Sequence, residues 1–239
     1  MNRLIAGELI KVRTTRTALG FAAAALLLVL ASVVVSILAG HPDTIEDKRS
    51  ALNFGNSISF VLLLLGAVGA TGEFRHRTLA PAVLIAPDRL RLFTARTAAY
   101  ALTALAVAVL MAVVTLAIGI PLLGGESGPD LAGGDYVRIA AGGLIVTALS
   151  GALGVGVGTL VRNQVFAVVG IIVWTTIAEP LITLADDGLT NYTLSSATTR
   201  VGAGGDAEMA FLPAVLILVA WTAVFCVAAA LVDRRRDVE

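Results

Sequence analysis

The stretch ALGFAAAALLLVLASVVVSILA, Ala18–Ala39, runs for 22 residues without one ionisable side chain. A bilayer's hydrocarbon core is about 30 Å thick and takes about 20 helical residues to cross. Five more apolar runs follow: Phe54–Thr71, Thr97–Leu123, Ile139–Val161, Val165–Leu184 and Phe211–Val232. Together the six runs make up 132 of the 239 residues. The pattern predicts an all-α membrane protein with six transmembrane helices in a single domain over residues 1–239. Composition agrees: 57% of residues are hydrophobic and 14% charged, against about 45–50% and about 25% in soluble domains. The first run exceeds the length of a secretory h-region and has no small-residue cleavage site after it, so it is expected to stay as a helix.

The zero net charge conceals an asymmetry. Lys and Arg collect in short loops on the cytoplasmic side during insertion. With a cytoplasmic N-terminus, 13 of the 17 basic residues fall inside and 4 outside. The expected topology places both termini in the cytoplasm and the chain in the plasma membrane. His41–Leu52, Gly124–Asp135 and Ala185–Ala210 then become outer segments, and Arg162-Asn163-Gln164 a tight inner turn.

Two inner segments carry further information. In Asn2–Thr17, Leu4, Ile5, Leu9 and Val12 gather near one helical face, with Glu8, Lys11 and Arg16 largely elsewhere. Such a helix suits the headgroup layer; a plain positive flank is the simpler alternative. The second segment is Gly72-Glu73-Phe74-Arg75-His76-Arg77-Thr78-Leu79, continued by Ala80–Ala95 with Pro81, Pro87, Asp88, Arg89 and Arg91. Mixed charge between two apolar helices can form a short amphipathic helix, whose carboxylates and guanidiniums make orientation-sensitive pairs with a soluble partner. A solvated, topology-setting loop is the alternative.

Glu73-Phe74-Arg75-His76-Arg77-Thr78-Leu79 resembles the Glu-aromatic-Arg-x-x-Thr motif of type-2 ABC transporter permeases. Glu8-Leu9-Ile10-Lys11-Val12-Arg13-Thr14-Thr15-Arg16 is similar to the start of those subunits. The six-helix layout and the long last outer segment match too, so the likeness spans nearly the whole chain. The resemblance implies an interfacial helix before helix one and a cytoplasmic coupling helix between helices two and three, seated on a separate ATPase. Glu73, Phe74, Arg75 and Thr78 would belong to that coupling region, with Asp88 and Arg89 in the charged loop that completes it. It further implies an exporter of two permease subunits, expected to be identical.

The chain contains no Gly-x-x-x-x-Gly-Lys-Ser/Thr phosphate loop, and its only lysines are Lys11 and Lys48. ATP and Mg would therefore be bound by the partner ATPase. No catalytic residues, metal site, bound cofactor or nucleic-acid partner is expected of this chain: it has two histidines and one cysteine, Cys226. Membrane lipids are expected partners, and the substrate is expected to be lipophilic or amphipathic. An ion-gradient-driven secondary transporter and a non-transporting membrane scaffold are the rival readings.

Within the apolar runs, Ser150, Gly154 and Gly158 recur every four residues and share one face, which lets two helix backbones approach closely. Packing inside one subunit and a seam between subunits both use such a face. Glu179 is the one carboxylate expected at membrane depth, followed by Pro180, which gives no N–H to the carbonyl of Thr176. The sequence predicts that helix five breaks here and that Leu181–Leu184 turns back. Thr176, Glu179 and Pro180 then mark either an outer gate or a helix end near the headgroups. Asn56, with Asn53 and Ser57 at the outer start of helix two, either lines a polar path or caps the helix.

Overall fold

The computed structural model describes residues 1–75, 89–206 and 209–235. All regular structure among them is helical. Helix α1 (Asn2–Thr14) turns at Thr15, whose backbone is extended, into α2 (Arg16–Leu38). Short α3 (Ile45–Ala51) precedes α4 (Phe54–Arg75). Next come α5 (Arg89–Leu123) and α6 (Gly133–Val161). Helix α7 (Gln164–Val173) passes through a π turn, Trp174–Ala178, into α8 (Glu179–Ala185). Two helices follow in the segment after it, α9 (Asp187–Thr190) and α10 (Leu194–Ala203), and α11 (Phe211–Arg235) closes the bundle.

Among the described residues six spans are long and apolar enough to cross a membrane, as expected of an integral membrane protein. The 35-residue α5 begins at Arg89 rather than Thr97. At about 1.5 Å per residue it reaches roughly 50 Å, well past the ~30 Å core. Its polar first turns, with Arg89 and Arg91, therefore project beyond the lipid.

Burial separates an inner pair from an outer ring. In the spans of α4 and α6, 67% and 61% of the most apolar residues are buried, against 17–28% in the other four spans. Helix α2 shows the outer pattern: Ala25, Val29, Val33 and Ile37 form one buried i, i+4 stripe, while Leu19, Leu27 and Val35 face outward. The inner pair meets through glycine. A Cβ on Gly154 would lie 2.1 Å from the Leu63 carbonyl oxygen, and one on Gly66 would lie 2.3 Å from that of Gly151. A Cβ on Gly158 would lie 2.6 Å from the Ala67 carbonyl oxygen. Ser150 is buried on the same face of α6. The Ser150–Gly154–Gly158 face is thus a contact with α4 inside the subunit. Two apolar cores flank this seam. One joins α2 to α5 around Val29, Ile58, Leu62 and Met111. The other joins α4 and α6 to α7, α10 and α11 around Leu153, Ile171, Val201 and Leu218.

Two sequence expectations change. Helix five does not break at Pro180: Leu181–Leu184 are helical within α8, and the irregularity is the π turn just before them. There the Glu179 N–H reaches the Trp174 carbonyl. A wider turn accommodates the proline ring without ending the helix. The segment between α8 and α11 is packed against the bundle, because Ala197 and Val201 of α10 are fully buried. Finally, Glu8 lies on the packed face of α1, beside Val12, rather than opposite it.

Candidate functional site

The π turn governs where Glu179 points. It adds a residue without advancing the helical register, so everything beyond it is rotated by about 100° relative to a straight helix. Thr176 and Pro180 remain on the exposed side, whereas Glu179 is 2% exposed. A buried carboxylate is costly unless hydrogen-bonded, and this one is. Its Oε1 accepts from the Trp174 indole N–H at 3.0 Å and from the Leu194 backbone N–H at 2.9 Å. Its Oε2 accepts from the Ser195 N–H at 3.1 Å and from the Ser195 hydroxyl.

Leu194 and Ser195 are the first two residues of α10. Helix five thus supplies an anion to the first turn of another helix, where free N–H groups and the dipole favour negative charge. Thr193 also caps this end, accepting from the Ser196 N–H at 3.2 Å. At the other end, the Arg200 guanidinium bonds Asp206 at 2.8 Å and Asn191 at 2.6 Å, placing a cation in the last turn.

Asn53 and Asn56 of the helix-two region meet the same α10. The Asn53 amide donates to the Thr199 carbonyl at 2.8 Å, and its Oδ1 accepts from the Asn56 N–H at 3.0 Å. The Thr199 hydroxyl donates to Asn56 Oδ1 at 3.2 Å. Glu179 and Asn56, far apart in sequence, are therefore joined through one helix. Neither Thr176 nor Pro180 shares these contacts.

Two small cavities adjoin this region and share Leu63, Leu153, Thr175 and Leu194 as walls. One, about 140 Å³, is edged by Asn56, Ser59, Ser150, Ser195 and Thr198. The other, about 160 Å³, is apolar and edged by Trp174, Trp221 and Phe225. The indoles stand edge to face with centroids 5.7 Å apart, and Trp221 donates to the Tyr192 carbonyl at 2.9 Å.

At the opposite end of the bundle three elements meet at Asp233, near the end of α11. Arg162, the left-handed C-cap of α6 at φ 56°, donates to the Asp233 carboxylate at 2.9 Å. Arg89, the first residue of α5, donates to the Asp233 carbonyl at 3.0 Å. The N-terminal flank of α5, the turn between helices four and five and the end of helix six are thus pinned at one point. Glu73, Phe74 and Arg75 form the last turn of α4. Thr78, Asp88 and the expected coupling helix lie outside the described residues. Among the described residues no group of three or more His, Cys, Asp or Glu side chains is arranged to hold a metal ion.

Sequence reasoning missed α10 as a packed helix, along with its link to Glu179. The signals were present: Thr193 as N-cap, Leu194, Ala197 and Val201 at helical spacing, and Gly204 at the stop with φ +83°. Compared with protein-family models and with curated proteins, the chain matches none.

Proposed function

We propose that this chain is the membrane-spanning subunit of an ATP-driven exporter, working with a separate ATPase and a second copy of itself. The observation that carries the reading is the position of the Glu73–Thr78 motif. It starts at the end of α4, the helix that shares most of its surface with the rest of the bundle. The chain returns from the loop at Arg89, which is tied to α11. A load on residues 76–88 would thus enter the centre of the bundle at one end and its edge at the other. The ATPase would supply ATP, Mg and hydrolysis; this chain would supply the path. The arginine-rich ends would face the cytoplasm and α1 would lie at the interface.

In this reading α10 is the outer closure. Glu179 and Asn56 hold it against helices five and two, and releasing either contact would open the two cavities beside it. The cargo would be lipophilic or amphipathic, in keeping with the aromatic wall at Trp174 and Trp221.

The test is co-purification with the ATPase encoded nearest to this chain's gene, using Glu73→Ala and Arg75→Ala. Loss of complex or of substrate-stimulated ATPase activity, with the folded chain still recovered, supports the assignment. Wild-type coupling in both variants rejects it.

A further inference from the structure

A cavity of about 590 Å³ lies between α1 and the helices beneath it, within the ~300–1,000 Å³ range of small-molecule sites. Its roof is the face of α1 carrying Glu8, Lys11 and Val12, at i, i+3 and i+4, with Thr15 at the turn that follows. Leu65 and Val68 of α4 make an apolar floor. The Glu8 residue is 5% exposed, whereas the Lys11 side chain, 2.6 Å away at Nζ, is 52% exposed. Two hydroxyls at the rim have already given their hydrogens to backbone carbonyls: Thr14 to Ile10 and Thr15 to Val12, both at 2.8 Å. They offer the cavity lone pairs only.

The site therefore presents a sheltered anion with hydroxyl acceptors at its rim, the polar side chains of Tyr100 and Gln164 in its wall, a cation at the mouth, and hydrocarbon below. We propose that it binds the headgroup of a phosphatidylethanolamine-type lipid from the leaflet bordering α1. The primary ammonium sits on Glu8, the phosphate is met by Lys11, and the acyl chains run down past Leu65 and Val68. A headgroup with both charges satisfies the two members of the ion pair at once. A quaternary ammonium has no N–H to give to Glu8 or the threonines, and an anionic glycerol headgroup brings no cation. This assignment goes beyond the transport reading and does not depend on it, because binding is read without an ATPase.

The experiment is native mass spectrometry of the purified full chain in neutral detergent, offered equal amounts of dioleoyl phosphatidylethanolamine, phosphatidylcholine and phosphatidylglycerol. Retention of the ethanolamine lipid should exceed that of the other two and fall about tenfold in Glu8→Gln, the worth of one charge-assisted hydrogen bond. Gly72→Leu is the second variant. Gly72 lines the cavity and a Cβ there meets nothing within 4 Å, so leucine fills the space without a clash at Cβ. It should abolish ethanolamine-lipid retention while the size-exclusion profile stays unchanged. Equal retention of the three lipids, or undiminished retention in Gly72→Leu, overturns the proposal. Displacement of the lipid by millimolar O-phosphoethanolamine overturns the lipid source in favour of a soluble phosphoamine.

Discussion

Glu179→Gln tests the link between helix five and α10. Glutamine is nearly isosteric, so packing is kept and only the acceptor set changes. Its oxygen can still serve the Trp174 indole and the Leu194 N–H. Its amide nitrogen then faces the Ser195 N–H, donor against donor, where the carboxylate accepted at 3.1 Å. The Ser195 hydroxyl can rotate to accept instead of donate, so the lasting loss is one charge-assisted bond to the backbone. Such bonds contribute about 1.5–3 kcal/mol. Ser195 is exposed, so solvent recovers part of this, and about 2 kcal/mol is expected. That corresponds to about a 30-fold rise in local opening, and to about 4–8 °C in Tm if the whole effect reaches global unfolding. Hydrogen–deuterium exchange in detergent should show the rise at Leu194 and Ser195, with amides in the middle of α6 changed far less. Unaltered exchange at those two positions, with an unaltered Tm, would refute the claim that Glu179 holds α10 in place.

Gly154→Val should disrupt the α4–α6 seam, because its Cβ would fall 2.1 Å from a backbone oxygen of α4; over-packing costs about 1–3 kcal/mol or more, read as loss of the monodisperse size-exclusion peak. Asp233→Ala should remove the Arg162 contact between partly buried side chains and lower stability by about 1 kcal/mol, measured as a Tm shift that shrinks as salt is raised. Trp221→Phe should lose the bond to the Tyr192 carbonyl, at about 0.5–1.5 kcal/mol, and leave Trp174 as the only indole. Its emission should then shift to the red when Glu179→Gln is added.

The six spans were legible because 20-residue apolar runs have few other meanings. The α4–α6 seam was legible as a spacing, but not its partner: Ser150, Gly154 and Gly158 show that a backbone comes close without saying whose. Boundaries were less legible where polar residues are packed. Arg96 is 3% exposed within α5, so hydropathy began that helix at Thr97 although the backbone is helical from Arg89. Lys48 of α3 is 1% exposed in a stretch that the charge pattern marks only as an outer segment. At Thr176–Pro180 the missing proline donor announced an irregularity, but a π turn and a break look alike in sequence. The choice depended on what Glu179 found to bond, and that was Leu194 and Ser195, fifteen and sixteen residues onward.

The glycine-tight contact between α4 and α6 has a mechanical consequence. Where main chain rests on main chain there are no long side chains to rearrange, so little can slide and the two helices travel together as a stiff spine. Helix α2, held to it through the side chains of Val29, Val33 and Ile37, has rotamers with which to give way, whereas α11 touches α6 backbone to backbone at Gly156. Any rocking of this molecule would then be a swing of its α2 flank about that spine, with the pivot fixed by the absence of a methyl group at three positions.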